Sequence, residues 1–176
     1  MISRVLYDKG YTQFVEASKQ IKKDNPDYEF ILIGDIDINN KNHVPKEIVE
    51  KDMKMGYINY LGYNNNVKEL IRNVDCIVHP TFYNEGLSRV LMEALAMSKP
   101  IITTDIPGCK ETVADGENGF LCKPKDINSL VKAINKFINL SSEERKEMGK
   151  KGREIAIKKF DVKNVIKIYN QILNNK

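Results

Sequence analysis

The stretch Glu85-Gly86-Leu87-Ser88-Arg89-Val90-Leu91-Met92-Glu93 decides how the rest of the chain is read. Immediately upstream, Cys76-Ile77-Val78-His79-Pro80 is an apolar run closed by a proline, the pattern of a buried strand that stops there. Downstream, Leu87, Val90, Leu91, Ala94 and Leu95 recur at helical spacing, which predicts a helix starting near Leu87 or Ser88. Thr81 to Asn84 make a short polar loop between them. In an open α/β sheet such a loop leaves the carboxyl end of a strand, where ligands sit. The first N–H groups of the helix have no intrahelical partner and suit a phosphate. Glu85 falls in the loop just before the helix, and Glu93 about two turns along it, at the edge of the apolar stripe. Acids beside a phosphate site call for compensating cations. Arg4 and Lys9 are the candidates, at the start of the chain.

Working outward, strand and helix patterns alternate. Ile2 to Tyr7 reads as a strand, Asp8-Lys9-Gly10 as its turn, and Tyr11 to about Lys23 as a helix with Phe14, Val15, Ser18 and Ile21 inward. Glu29 to Ile33 and Tyr57 to Leu61 are further strands, closed by Gly34 and Gly62. A short helix is expected from Pro45 to Met53, with proline in its first turn. Asn66 is placed to cap another that runs to Asn73. Pro100 to Thr104 and Phe120 to Cys122 complete about six strands. Asp126 caps a helix through Phe137, and Ser141-Ser142-Glu143-Glu144 carries the signature of a capping box opening a helix to about Lys158. A last amphipathic helix holds Val162, Val165, Ile166, Ile168, Tyr169 and Ile172. The alternation implies a Rossmann-like, doubly wound parallel sheet covered on both faces, in one domain over residues 1–176.

Composition narrows the classes. The net charge of +4, from 28 basic and 24 acidic residues, fits an anionic small ligand or a membrane-bound partner and is too mild to argue for nucleic acid. The cysteines at 76, 109 and 122 lack Cys-x-x-Cys spacing, which argues against a structural zinc or a disulfide scaffold. No signal peptide and no bilayer-length apolar run is seen, so a cytoplasmic setting is the expectation.

The segments "SRVLYDKG", "FILIGD", "YLGY", "VDCIVHPTFYNEGLSRVLMEALAMSKPIITTDIPGCKETV" and "DGENGFLCKP" together resemble the C-terminal domain of retaining GT-B glycosyltransferases, the glycosyl transferases group 1 family (family four). The likeness runs from Ser3 to about Tyr169 and is strongest to bacterial enzymes that extend lipid-linked saccharides for surface polysaccharide or glycoprotein glycans. Its signature is a pair of glutamates separated by seven residues, matched by Glu85 and Glu93. The resemblance implies that Arg4 and Lys9 hold the donor diphosphate and its leaving-group charge. It implies that Glu85 contacts the transferred sugar, that the Gly86, Leu87 and Ser88 amides face sugar and phosphate, and that Glu93 binds the ribose hydroxyls. Gly62 and Tyr63 follow the strand whose end meets the base. The donor implied is a nucleotide-diphosphate sugar, with a UDP-hexose or UDP-N-acetylhexosamine favoured, and no metal cofactor is expected. Ser3 stands where many relatives have glycine.

The family fold has two Rossmann-like halves, and this sequence matches one of them. The other implied partners are therefore an N-terminal acceptor domain and a lipid-linked or saccharide acceptor at the membrane surface. The full-length enzyme is then expected to be peripheral at the inner face of the membrane, and this half alone weakly active or inactive.

Plainer readings stand beside these. Arg4 could pair with a surface acid, Lys9 be an ordinary turn lysine, and Glu93 serve as the i, i+4 partner of Arg89. Arg89 itself is open between that pairing and phosphate contact. His79 reads as a buried strand residue, Phe82 and Tyr83 as loop-lining residues, and Met92 and Met97 as packing. Asp35-x-Asp37 has metal-motif spacing, but in a fold that generally needs no metal. Two other functions remain in play. One is a glycoside-cleaving pair, Glu85 and Glu93, which would have to flank one bond at roughly 5–10 Å and would leave Arg4 and Lys9 without a role. The other is a noncatalytic nucleotide-binding module using the same crevice.

Overall fold

A computed structural model describes residues 1–84 and 86–174, without the side chains of Val165 and Ile168. Helices and strands alternate as α1 (Tyr11–Asp24), β1 (Ile31–Leu32), α2 (Lys46–Lys54), β2 (Asn59–Tyr60), α3 (Val67–Arg72), β3 (Ile77–His79), α4 (Arg89–Ala96), β4 (Ile101–Thr104), β5 (Gly119–Cys122), α5 (Ile127–Ile138), α6 (Ser142–Phe160) and α7 (Val162–Asn174). All strand pairings are parallel: β1 pairs with β2, and β3-β4-β5 form a second ladder.

The period-2 alternation of the strands sorts side chains onto two faces. Val78, Ile102, Phe120 and Cys122 face a core shared with α1 and α5. Ile77, Ile101 and Leu121 face a core shared with α3, α4 and α6. This is the doubly wound arrangement that the alternation of elements implies.

Local chemistry accounts for the helix ends. The Asp126 carboxylate accepts from the Ser129 amide at 2.9 Å. Ser141 and Glu144 form the reciprocal capping box, at 2.7 and 3.2 Å. Asn66 precedes α3 as expected, yet its side chain makes no capping bond.

The first strand differs from the sequence reading. Ile2 makes only an isolated parallel bridge to Ile33, and Leu6 an antiparallel one to His43. Tyr7–Lys9 is a single 3-10 turn. Ser3 and Val5 keep one register, their amides reaching the Ile33 and Asp35 carbonyls, before the Val5 carbonyl accepts from Val44 and the Leu6 amide turns back to the Arg4 carbonyl. Among the described residues there are thus five strands in two ladders where the sequence suggests about six in one sheet.

The last helix carries an apolar stripe in the open. Val162, Ile166, Tyr169, Ile172 and Leu173 are all exposed, as the amphipathic pattern allows. Among the described residues, no helix is long and apolar enough to cross a membrane.

Helix α6 docks on the second face through Gly149. A Cβ built there would lie 2.1 Å from the Ser98 carbonyl oxygen. At Gly86 a Cβ would meet open space. Gly149→Ala should therefore cost roughly 1–3 kcal/mol by overpacking, while Gly86→Ala should stay within about 0.5 kcal/mol. Urea unfolding midpoints of the two variants check the contrast.

Candidate functional site

The carboxyl ends of the strands come together at one edge of the molecule. At β1, Gly34 donates its amide to the Gly62 carbonyl at 2.9 Å. The Tyr60 hydroxyl donates to the Gly34 carbonyl at 2.8 Å. Gly62, in a left-handed conformation (φ 68°), turns the chain so that Tyr63 stands out in solvent, 71% exposed. These bonds fix the two segments side by side at the edge the sequence assigned to the base.

The end of β3 is held from two sides. From β4, the buried hydroxyls of Thr103 and Thr104 donate to the carbonyls of His79 and Thr81. From the opposite side the carbonyl of Asp8 accepts from the amides of Phe82 (3.0 Å) and Tyr83 (3.2 Å) and from the Thr81 hydroxyl (3.2 Å). The turn that presents Asp8 requires Gly10. Its φ is +87°, and a Cβ there would sit 2.2 Å from the Pro80 carbonyl oxygen. Asp8-Lys9-Gly10 and the loop before α4 are thus one fastened unit, although they lie more than seventy residues apart in sequence.

That fastening places Lys9 at the loop. Its ammonium stands 4.7 Å from the centre of the Tyr83 ring, a cation–π contact. Lys125, reached by a left-handed turn (φ 62°), stands 4.8 Å from the Phe82 ring on the same loop. Phe82 and Tyr83 are therefore loop-lining residues faced by lysines. Beyond the loop, Gly86 and Leu87 are exposed and Ser88 is buried. The Ser88 amide is already given to the Gly108 carbonyl at 3.0 Å, and the Glu111 carboxylate accepts from the Gly108 amide at 2.8 Å. Of the amides expected to face a ligand, that of Ser88 is committed to the protein itself. The helix begins at Arg89, so the amides without an intrahelical partner belong to its first turn, where Arg89 is exposed and Leu91 is buried.

The remaining sequence candidates fall as follows. Glu85 lies outside the described residues. Arg4 is in an ion pair with Asp37 at 2.9 Å, with the arginine side chain 54% exposed. Such a surface pair is worth little and yields to a better anion. This contact also uses the second acid of Asp35-x-Asp37. Among the described residues, no group of three or more His, Cys, Asp or Glu side chains is placed to hold a metal ion. Glu93 stands 3.6 Å from Arg89 across one helical turn, and both are open to solvent. A shallow cleft there is shared with Arg153 of α6, so the i, i+4 pairing is formed while the carboxylate stays accessible.

His79 is 2% exposed, in line with its reading as a buried strand residue. Burial, with Lys9 and the amino terminus adding positive charge nearby, pushes its imidazole down to about 3. Four contributors escaped sequence reasoning: the Asp8 carbonyl, the Thr103 and Thr104 hydroxyls, and the Gly108 carbonyl behind α4. The "TTDIPG" run signals only a strand and turn, and backbone acceptors leave no residue-type signature.

The family model described as "Glycosyl transferases group 1" matches residues 1–155. An N,N'-diacetylbacillosaminyl-diphospho-undecaprenol alpha-1,3-N-acetylgalactosaminyltransferase of Campylobacter jejuni is 28% identical, over 99% of this chain and 45% of its own length. A UDP-Gal:alpha-D-GlcNAc-diphosphoundecaprenol alpha-1,3-galactosyltransferase of Escherichia coli is 29% identical, over 81% of this chain and 38% of its own length. Among solved structures, Anabaena HepE in complex with UDP superposes with a TM-score of 0.87 and 26% identity, over 99% of this chain and 48% of that one. The chain therefore spans less than half the length of these relatives.

The His79 environment makes a testable statement. An unfolded histidine takes up its proton near pH 6.5, whereas the folded one does so only near 3. The unfolded state thus binds the extra proton, and this contribution to stability is complete above pH 6.5 and lost as pH falls toward 3. Ring resonances of His79 should keep neutral-imidazole shifts from pH 7 to 4.5 in NMR spectra, while the urea midpoint declines over that range. A His79 midpoint near 6.5 would contradict the buried placement.

Proposed function

The chain belongs to the glycosyl transferases group 1 family, and from that premise we propose that it is the half of a glycosyltransferase that holds the activated sugar. The observation that carries this reading is the fastening of Lys9 to the loop entering α4, through the Asp8 carbonyl and Gly10. It brings a lysine to the loop that leads into a helix amino end, and a cation acting together with helix amides suits a diphosphate. The UDP bound in Anabaena HepE supports uridine as the base. The named acceptors of the Campylobacter and Escherichia relatives support a lipid-linked saccharide as the acceptor.

In this reading the pyrophosphate lies between Lys9 and the α4 amino end, and Arg4 leaves Asp37 to join it. Departure of the nucleoside diphosphate concentrates negative charge there while the sugar becomes cationic. Preorganised donors lower that barrier because they need not reorient as the charge develops. Glu85 is assigned to the sugar and Glu93 to the ribose hydroxyls, on the side of α4 where its carboxylate is accessible. Gly86 and Leu87 line the sugar, and Gly62 with Tyr63 borders the base. Positive charge comes from side chains and amides, so the scheme calls for no metal. Transfer proceeds with retention to an acceptor seated on a further, N-terminal domain at the membrane surface. Closure of two domains completes the site, so the present chain alone transfers sugar poorly.

Calorimetric titration with UDP, GDP and ADP tests the binding half of this proposal. UDP should bind most tightly, and Lys9→Ala and Glu93→Ala should each weaken it by about tenfold or more, the loss of a charge-assisted contact. Absence of nucleotide binding, or indifference to both substitutions, would defeat it. A chain that binds UDP yet gains no transferase activity when joined to an acceptor domain would instead be a noncatalytic module.

A further inference from the structure

A second lysine, outside the pair read from the sequence, reaches the loop before α4. Lys125 follows β5 with a left-handed backbone (φ 62°), a conformation that Ser98 alone shares among the described non-glycine residues. A side chain is disfavoured there, where glycine would sit without strain. The neighbouring residues fix the turn to the start of α5. The Lys123 amide donates to the Ser129 hydroxyl at 2.9 Å, and the Asp126 carboxylate accepts from the Ser129 amide at 2.9 Å. The Asp105 amide donates to the Cys122 carbonyl at 2.8 Å, which keeps the end of β5 beside that of β4. From this turn the Lys125 ammonium stands 4.8 Å from the centre of the Phe82 ring. Because β4 lies between β3 and β5, the side chain crosses the end of β4 to meet the loop that leaves β3. Backbone strain that delivers a charged group to the ligand-binding edge of a sheet is a reason to look for a role.

Two consecutive rings of the loop thus carry a lysine each, Tyr83 with Lys9 at 4.7 Å and Phe82 with Lys125. The lysines arrive from the two flanks that hold the loop backbone, one beside the Asp8 carbonyl and the other from beyond the β4 threonines. In the donor-site reading, on which this inference rests, Lys9 turns from Tyr83 to the diphosphate. The loop then loses one of its aromatic contacts as the ligand arrives. We propose that Lys125 is a positioning residue for the donor: it stays on Phe82 when Lys9 leaves Tyr83, and so keeps the Thr81–Asn84 loop and the entry to α4 in place for the diphosphate. The exposures of the two rings suit this division. Tyr83 is 51% exposed, whereas Phe82 is half-buried, and a cation–π contact strengthens as water is excluded.

Calorimetric titration with UDP, applied to Lys125→Met, Lys125→Gly and Lys125→Arg, tests the proposal. Lys125→Met keeps an apolar stem over the ring without the charge. Lys125→Gly relieves the backbone and removes the side chain, and Lys125→Arg keeps a cation that stacks on aromatic faces. Lys125→Met and Lys125→Gly should each raise the dissociation constant about three- to fivefold, the scale of one exposed cation–π contact. Amide exchange at Phe82 and Tyr83 in the UDP-bound state should quicken by at least as much. Lys125→Arg should stay within about twofold on both measures, and the melting temperature of Lys125→Gly within about 2 °C, because strain relief offsets the lost contact. A lysine that serves stability alone would lower the melting temperatures of Lys125→Met and Lys125→Gly and leave UDP affinity unchanged, and that result would overturn the proposal. So would a Lys125→Arg chain as weak as Lys125→Met. Binding that Lys9→Ala weakens and Lys125→Met does not defeats this proposal alone, whereas a chain that binds no UDP defeats the donor-site reading and this inference with it.

Discussion

One backbone oxygen ties this molecule together. The Asp8 carbonyl accepts from two amides and a hydroxyl of the Thr81–Tyr83 segment, and so locks the turn after the first segment against the end of β3. Everything placed at the carboxyl edge depends on that lock. Without it Lys9 would be a mobile surface lysine, and the loop entering α4 would have support from the β4 threonines alone. The contact is feasible only because Gly10 adopts a left-handed conformation with no side chain facing Pro80. A single residue type thereby positions a cation on the loop that leads into α4.

Charge is managed by short pairings that a ligand can rearrange. Arg4 rests on Asp37 and Arg89 on Glu93, both in solvent, where such pairs contribute little stability and break readily. The rigid parts are uncharged: threonine hydroxyls on carbonyls, glycine against carbonyl, apolar strand residues on two cores. A scaffold that is rigid in its backbone and labile in its ion pairs fits a site that must accept and release an anion.

Much of this was legible in the sequence because the relevant signals are local. Apolar periodicity located α1, α4 and α7, Pro45 and Asn66 marked the starts of α2 and α3, and Asp126, Ser141 and Glu144 announced their caps by residue type. One of the upstream basic residues, Lys9, stands at the loop that enters α4. What stayed hidden depends on groups that every residue possesses. The carbonyls of Asp8 and Gly108 look like nothing in a sequence, and the Ser88 amide carries no mark that it is already taken. The strand expected from Ile2 to Tyr7 was misjudged for a related reason. Its apolar residues mark burial, and Val5 and Leu6 are indeed buried, but Val5 bonds Asp35 and Val44 outside the strands and the Leu6 amide turns back to Arg4.

The most direct measurement is the structure of this chain crystallised with UDP. The account places the diphosphate against the first turn of α4 within hydrogen-bonding reach of the Lys9 ammonium, with the ribose toward Glu93. Well-ordered UDP seated elsewhere, with Lys9 still resting on Tyr83 and the α4 amides turned to water, would contradict it.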